Sequence, residues 1–294
     1  MRVGIVGVGP MGQAFAENLI KAGFSVQGYD VDPKRVEEFK ERGGEAVDSP
    51  AAVAREVRWV ITSLPKSNVV RDVTLGPGSI AEGAEPGLIV VDTSTSLPQE
   101  SRSLGADLAA RGIRFLDASV SGTGATALEK DVVVLAGGEK ADFESCRPLF
   151  EGFSRKAYHL GPLGSGAQAK LAINVAVVGN RLALAEALIF GIKAGMEPEA
   201  LLAVLKDGSS YSRAMDLKGK KMIQGDFTPE SRLGASVDGC ALLLEQGRQL
   251  GAPLFLTSVY AQIAQAGVQM GFGDADPASL IEVLRMMAGL ARRG

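Results

Sequence analysis

Three glycines within six residues, Gly7, Gly9 and Gly12, constrain this chain more than any other feature of it. They follow the short apolar run Val3-Gly4-Ile5-Val6, which reads as a buried strand. They open a stretch from Met11 to Ala22 in which Ala14, Phe15, Leu19 and Ala22 recur near helical spacing. A second apolar run, Ser25 to Tyr29, ends in Asp30. Each part has a physical reading. Glycine at 7 permits a tight turn from strand to helix, glycine at 9 lets a pyrophosphate approach the backbone, and glycine at 12 lets the helix pack close on the strand. The helix then offers unpaired N–H groups and the positive end of its dipole to the phosphates. G-x-G-x-x-G alone is a weak pattern. A strand before it, a helix after it and an acid ending the next strand make it a dinucleotide-binding corner.

Asp30 also bears on which dinucleotide. A carboxylate there accepts hydrogen bonds from the ribose hydroxyls of NAD and repels the 2′-phosphate of NADP. Lys34 and Arg35 argue the other way if they reach a phosphate from the following helix, and are neutral if they form a solvated helix face. NAD is the expected cofactor and NADP the alternative.

Strand and helix signals alternate through the first half. Pro33 to Arg42 reads as a charged helix, while Trp59–Ser63, Leu88–Val91, Phe115–Leu116 and Val132–Ala136 read as strands. That alternation indicates a parallel sheet with crossover helices. Such a sheet is covered on both faces, which accounts for strands that are apolar throughout. After about Leu160 the texture changes. "LGPLGSGAQAK" reads as a glycine-rich connection, and long helical patterns follow it. Leu171 to Ala194 reads as one long helix, apolar on more than one face, as expected in a core or an interface. The expected fold is α/β: a doubly wound, Rossmann-type dinucleotide-binding domain over residues 1–163, then an all-helical substrate and oligomerisation domain over 164–294.

Composition narrows the function classes. Of 294 residues, 46% are hydrophobic and 22% charged, which fits a large buried core and not a disordered chain. A net charge of −3 leaves no basic footprint for nucleic acid and no polybasic membrane anchor. Aromatics, at 5%, are too sparse for base-stacking platforms. Cys146 and Cys240 lie in no metal-ligand or redox spacing and read as buried, reduced thiols. His159 is the only histidine, so no metal site is expected. The start of the chain lacks the zones of a signal peptide. The long apolar stretch carries Asn174, Asn180, Arg181, Glu186 and Lys193, too polar for a membrane span. The expected location is the cytoplasm.

Five stretches in order resemble the β-hydroxyacid dehydrogenases, a group of 6-phosphogluconate dehydrogenase-like enzymes. It contains 3-hydroxyisobutyrate dehydrogenase, tartronate semialdehyde reductase and glyoxylate/succinic semialdehyde reductase. "VGPMGQAFAENLIKAG" (8–23) is similar to the family's cofactor signature, "SLP" (63–65) to its loop beside the adenosine, and "VDTSTSLP" (91–98) to its loop beside the nicotinamide. "DASVSGTG" (117–124) is similar to its substrate loop, and "GSGAQAKLAIN" (164–174) to its catalytic-lysine helix. Together these cover most of the chain. The resemblance implies cofactor contacts at Gly7, Gly9, Pro10, Met11, Gly12, Asp30, Leu64, Pro65 and Thr95. It implies substrate contacts at Ser121, Gly122, Thr123 and Asp238, and catalysis by Lys170 and Asn174. The implied partner is a small carboxylate substrate, held by polar turn donors that suit an anion.

The lysine segment also makes chemical sense. Lys170 and Asn174 are four residues apart, hence on one helix face, just past a glycine-rich connection at the inferred domain boundary, where clefts form. Oxidising an alcohol needs a base for the hydroxyl proton, and reducing a carbonyl needs an acid. A lysine serves both if burial or a nearby nicotinamide cation lowers its pKa. Asn174 would orient Lys170 or the substrate oxygen. His159 pairs with no acid or nucleophile and reads as structural.

Two positions depart from the family pattern. Thr123 stands where a second glycine is usual. In "LGASVDGCALLLEQG", Val237 stands where the family carries a lysine, with Asp238 kept. The lost cation admits a larger or differently charged substrate, and Arg213 is a candidate replacement charge. The expected activity is NAD(P)-dependent interconversion of a small 3-hydroxy acid and its semialdehyde or oxo form, in a homodimer or homotetramer. An imine reductase on the same scaffold and a non-catalytic NAD(P)-binding protein are the alternatives, and Lys170 argues against the first.

Overall fold

The computed structural model describes residues 1–291. From the N-terminus run β1 (Arg2–Val6), α1 (Pro10–Lys21), β2 (Ser25–Tyr29), α2 (Pro33–Glu41), β3 (Glu45–Ala46), α3 (Pro50–Val53), β4 (Trp59–Thr62), α4 (Ser67–Leu75) and α5 (Ile80–Gly83). Then come β5 (Ile89–Asp92), α6 (Pro98–Ala109), β6 (Arg114–Ser121), α7 (Gly124–Leu128), β7 (Val133–Gly137), α8 (Lys140–Ser145), α9 (Arg147–Phe153) and β8 (Lys156–His159). The remainder is helical: α10 (Ser165–Lys193), α11 (Pro198–Asp207), α12 (Arg213–Gln224), α13 (Leu233–Leu250), α14 (Phe255–Gly267) and α15 (Leu280–Met287).

The strands form one sheet in the order β3-β2-β1-β4-β5-β6-β7-β8. The chain leaves β1 toward β3 and returns to β4 on the other side of β1. This places a topological switch point between β1 and β4, where ligands of open α/β sheets bind. Side chains alternate between two apolar layers. Trp59, Ile61, Ile89 and Val91 pack with Phe15, Phe150 and Phe153 on one face, while Val60 and Val90 pack with Val70, Leu104 and Leu108 on the other. The sheet is thus covered on both sides, as the apolar strands required.

All pairings are parallel except β6 with β7, which is antiparallel. The physical reason is length. Residues 122–132 join the two strands, fewer than the dozen or so that a parallel crossover takes. β6 also runs well past the Phe115–Leu116 read from sequence, because its polar residues are buried with partners. Ser119 Oγ donates to the Ser94 carbonyl at 3.1 Å, and Asp117 accepts two backbone N–H groups. Trp59, the single tryptophan, is fully buried in β4, with the Arg58 guanidinium 5.2 Å from its ring centre and Phe24 edge-on at 6.3 Å.

Contacts divide the chain into two compact units, Met1–Lys170 and the helices from Leu171 onward. α10 begins six residues before Leu171, so half of the expected connection is helix. In the helical unit Leu184, Leu188, Leu201, Met222 and Ile281 form one apolar cluster, and Val178, Leu182, Leu233 and Tyr260 form another. The buried Lys218 ammonium joins α12 to the turn before α15, donating to Asp276 at 2.8 Å and Glu230 at 3.1 Å. By length and composition alone α10 could cross a membrane. Its Lys170, Asn174, Asn180, Arg181 and Glu186, and its residues in both apolar clusters, suit the spine of a helical unit better.

Candidate active site

The glycine corner is built as its spacing demands. Gly7 has φ +92°, and a Cβ there would lie 2.4 Å from the Ser63 carbonyl oxygen. At Gly12 a Cβ would meet the Gly7 carbonyl oxygen at 2.0 Å, so helix and turn are in direct backbone contact. Gly9 differs, since a Cβ there would find only the Arg35 guanidinium, at 3.6 Å. Its missing side chain is not needed for packing and leaves a cradle open for something else. Gly9 caps α1 without a side-chain bond, Pro10 brings no N–H, and the first-turn amides of Met11 and Gly12 have no intrahelical acceptor. The residues present therefore fit a dinucleotide pyrophosphate.

Asp30 sits at the end of β2 with its side chain 5% exposed. Its Oδ2 accepts from the Val8 amide at 2.9 Å and its Oδ1 from the Asp32 amide at 3.0 Å, so it braces the corner directly. A carboxylate has about four lone-pair sites, which leaves capacity for ribose hydroxyls. Arg35 lies 3.7 Å from Asp30 and 3.5 Å from Asp32. The sequence offered Arg35 as either a phosphate ligand or a solvated side chain. It is neither isolated nor remote, because it leans over Gly9 with two carboxylates at its guanidinium.

Leu64 and Pro65 follow β4, and Thr95 follows β5. Ser94, not singled out in the sequence, links these loops by accepting from the Leu64 amide at 3.0 Å. Beneath it, Asp92 is buried and accepts from Thr62 Oγ1 at 2.8 Å and the Ser94 amide at 3.1 Å. Burial pushes the Asp92 carboxyl above the usual range, and the Ser94 and Thr62 hydrogen bonds pull it partly back.

Ser121 ends β6, and the loop after it returns to the glycine corner. Gly124 packs so closely on Pro10 that a Cβ would lie 3.0 Å from the proline Cβ, and Asn18 Nδ2 donates to the Ala127 carbonyl at 2.7 Å. Thr123 caps α7 reciprocally. Its amide donates to Thr126 Oγ1 at 2.8 Å, and its own hydroxyl accepts from the Thr126 amide at 3.3 Å. The Thr123 amide is thus committed within the loop, while Gly122 is exposed and the Ser121 side chain half-buried.

Lys170 is half-buried on α10, one turn before Asn174. The first turn of α10 is held by Asp117, whose Oδ1 accepts from Gly164 and Oδ2 from Ala167, both at 2.8 Å. Burial pushes the Asp117 carboxyl up, and those backbone bonds oppose it. Asn174 and Asp238 belong to the helical unit. Asp238 is exposed on α13 and, with Arg232, Gln265 and Asp274, lines a cavity of about 410 Å³. Val237, half-buried, packs against the apolar cluster around Tyr260 and also lines this cavity. His159 Nε2 bonds to the Gly138 carbonyl at 2.8 Å, with its ring against Phe143, in keeping with a structural role. Both cysteines are buried, which pushes their thiols up to about 12 (Cys146) and about 11 (Cys240), far from reactive.

Residues 2–161 match the family described as the NAD binding domain of 6-phosphogluconate dehydrogenase. Residues 164–284 match the one described as NAD-binding of NADP-dependent 3-hydroxyisobutyrate dehydrogenase. The chain is 31% identical to 2-(hydroxymethyl)glutarate dehydrogenase of Eubacterium barkeri, over all of this chain and 98% of that one. It is 30% identical to mitochondrial 3-hydroxyisobutyrate dehydrogenase of Rattus norvegicus, over 96% of this chain and 87% of that one. The crystal structure of a 3-hydroxyisobutyrate dehydrogenase from Salmonella typhimurium superposes with a TM-score of 0.87 at 26% identity, covering 96% and 99% of the two chains. With a corner shaped for a dinucleotide and full-length likeness to enzymes of one kind, the chain belongs to the NAD(P)-dependent β-hydroxyacid dehydrogenase family.

Proposed function

We propose that this protein is a cytoplasmic dehydrogenase or reductase that prefers NAD and interconverts a small 3-hydroxy acid with its semialdehyde or oxo form. The observation that carries the reading is a half-buried lysine, Lys170, on a mostly apolar helix that starts from the sheet of the dinucleotide-binding unit. Bound nicotinamide supplies the hydride acceptor or donor. Lys170 takes the proton from the substrate hydroxyl or returns it to the carbonyl oxygen, and Asn174 orients it. The Ser121 hydroxyl and the Gly122 amide hold the substrate carboxylate, and Thr123 shapes that loop through Thr126. Gly7, Gly9, Pro10, Met11 and Gly12 receive the pyrophosphate, Asp30 the ribose, and Leu64, Pro65 and Thr95 line the cofactor. Function divides near residue 164, with Asp238 on the helical side.

The substrate class is suggested by the names of the relatives: a 3-hydroxy acid such as 3-hydroxyisobutyrate, or a longer dicarboxylate such as 2-(hydroxymethyl)glutarate. Val237, apolar where the family pattern has a cation, admits a larger or differently charged substrate. The test is reduction of NAD and NADP, followed by absorbance, with a panel of hydroxy acids, and the reverse reaction with semialdehydes. Lys170→Ala is assayed alongside. General acid–base catalysis contributes about 10²–10⁴-fold, so its kcat should fall by that order while NAD affinity changes little. Near-normal kcat in this variant would return Lys170 to an ordinary helix lysine.

A further inference from the structure

We propose that Asp117 is a positioning residue for the reaction: from β6 it anchors the first turn of α10 and so sets where Lys170 stands. The inference rests on the reading of Lys170 as the proton-transfer group.

α10 needs an outside cap. Its first turn follows Gly164, which has φ +91°, and a Cβ there would lie 2.7 Å from the Arg102 guanidinium and 2.9 Å from the Pro98 carbonyl oxygen. A residue confined to glycine has no side chain with which to cap the helix it precedes. Asp117 supplies the missing acceptor across 47 residues of sequence, one carboxylate oxygen to the Gly164 amide and the other to the Ala167 amide. A bidentate grip on two amides of one turn fixes the position of the turn and its rotation about the helix axis, where a single bond would leave the rotation free. A negative charge at that end also complements the helix dipole.

The surroundings are cut to the same fit. Asp117 pairs in register with Asp92 on β5 and with Gly137 on β7. A Cβ at Gly137 would lie 2.6 Å from Asp117 Oδ1 and 2.8 Å from the Ser165 amide nitrogen. One at Gly166 would lie 2.2 Å from the Leu135 carbonyl oxygen and 3.0 Å from Asp117 Oδ2. The helix start therefore rests on the sheet backbone, fastened to it by the Asp117 carboxylate. Lys170 follows Gly166 by four residues and Ala167 by three, so it shares their face, about one turn along. A shift of the anchored turn passes to Lys170 undiluted, and misplacement by about 1 Å can cost on the order of a hundredfold in rate.

The test compares Asp117→Asn and Asp117→Ala with Lys170→Ala and with the double variant Asp117→Asn/Lys170→Ala. Asn matches Asp in size and keeps one acceptor oxygen. The expected result is a kcat about tenfold lower for Asn and about a hundredfold lower for Ala, with KM for the hydroxy acid and Kd for NAD within about twofold of the parent. In the Lys170→Ala background, Asp117→Asn should lower kcat no further. A folded Asp117→Asn protein with parental kcat, or a loss that multiplies with that of Lys170→Ala, would overturn the proposal. If Lys170→Ala itself keeps its kcat, the acid–base reading fails instead, and the two failures are distinct. Hydrogen exchange on the unmodified full chain tests the anchor without any variant. The Gly164 and Ala167 amides should exchange as slowly as those of β5 and β6, and rapid exchange at either would refute the grip.

Discussion

At Asp30 the carboxylate that reads in the sequence as a ribose acceptor already serves the amides of Val8 and Asp32. The proposed preference for NAD rests on two acids, Asp30 and Asp32, set against the Arg35 guanidinium that leans over Gly9. Asp30→Asn removes a charge without changing size. A hydrogen bond to a charged group is worth about 1.5–3 kcal/mol, so the ratio of kcat/KM for NAD over NADP should fall at least about tenfold. An unmodified enzyme that prefers NADP would show that Arg35 outweighs the acids. Asp92 leads to a different measurement. Burial raises its folded pKa above the unfolded value of about 3.9. Between those two values the folded chain holds a proton that the unfolded chain has released, so stability falls as pH rises through that window and is level above it. Asp92→Asn removes this contribution. Its Tm should gain on the parent as pH rises from about 4, and a difference independent of pH would contradict the assignment. Residues such as Asp30 and Lys170 stood out in the sequence because their neighbours in the chain announced them. Asp92, Ser94 and Asp117 did not, since their partners are 30 to 50 residues away or their roles depend on burial.

The glycine corner shows how much of an element can be read locally. Its strand, turn and helix lie where the spacing puts them, because Gly7 and Gly12 answer steric demands within a few residues or from the adjoining strand. The three glycines are not equivalent, however. Gly12→Ala forces a methyl group onto the Gly7 carbonyl, and overpacking of this kind costs about 1–3 kcal/mol. Its Tm should fall by several degrees. Gly9 has φ −68° and open space before it, so Gly9→Ala should melt like the parent yet bind NAD at least about tenfold more weakly. Equal losses of Tm in both variants would mean that Gly9 is a packing glycine. Other elements were less legible. In the sequence β6 shows only as Phe115–Leu116, because Asp117 and Ser119 look like loop residues until their partners are known. The antiparallel turn into β7 follows from a short connection, a distance no apolar pattern records. α10 starts early because Gly166 and Ala167, read as connection, are what a helix needs to rest on sheet backbone.

On the scale of the whole molecule, the alternation of strand and helix predicted the doubly wound sheet, since a parallel sheet must be apolar on both faces. Apolar exposure was less predictable. In its most apolar stretch α10 is only 39% buried, and Phe190, Phe255 and Leu256 are exposed at 77%, 77% and 62%. Leu256 approaches α10 at Gly179, so apolar groups of two helices adjoin there. A second copy of the chain is the proposed cover. Phe255→Glu with Leu256→Glu should shift sedimentation toward the monomer without changing the helical spectrum, and a parent that sediments as a monomer would refute it. Trp59 gives the molecule an optical asymmetry. The only indole lies deep in the sheet, and the helical unit has none. Tryptophan emission therefore follows the melting of the sheet alone, while far-ultraviolet dichroism is weighted toward the helices. If the two curves coincide on heating, the units lose structure together. If they separate, the gap between them measures how far one half can outlast the other.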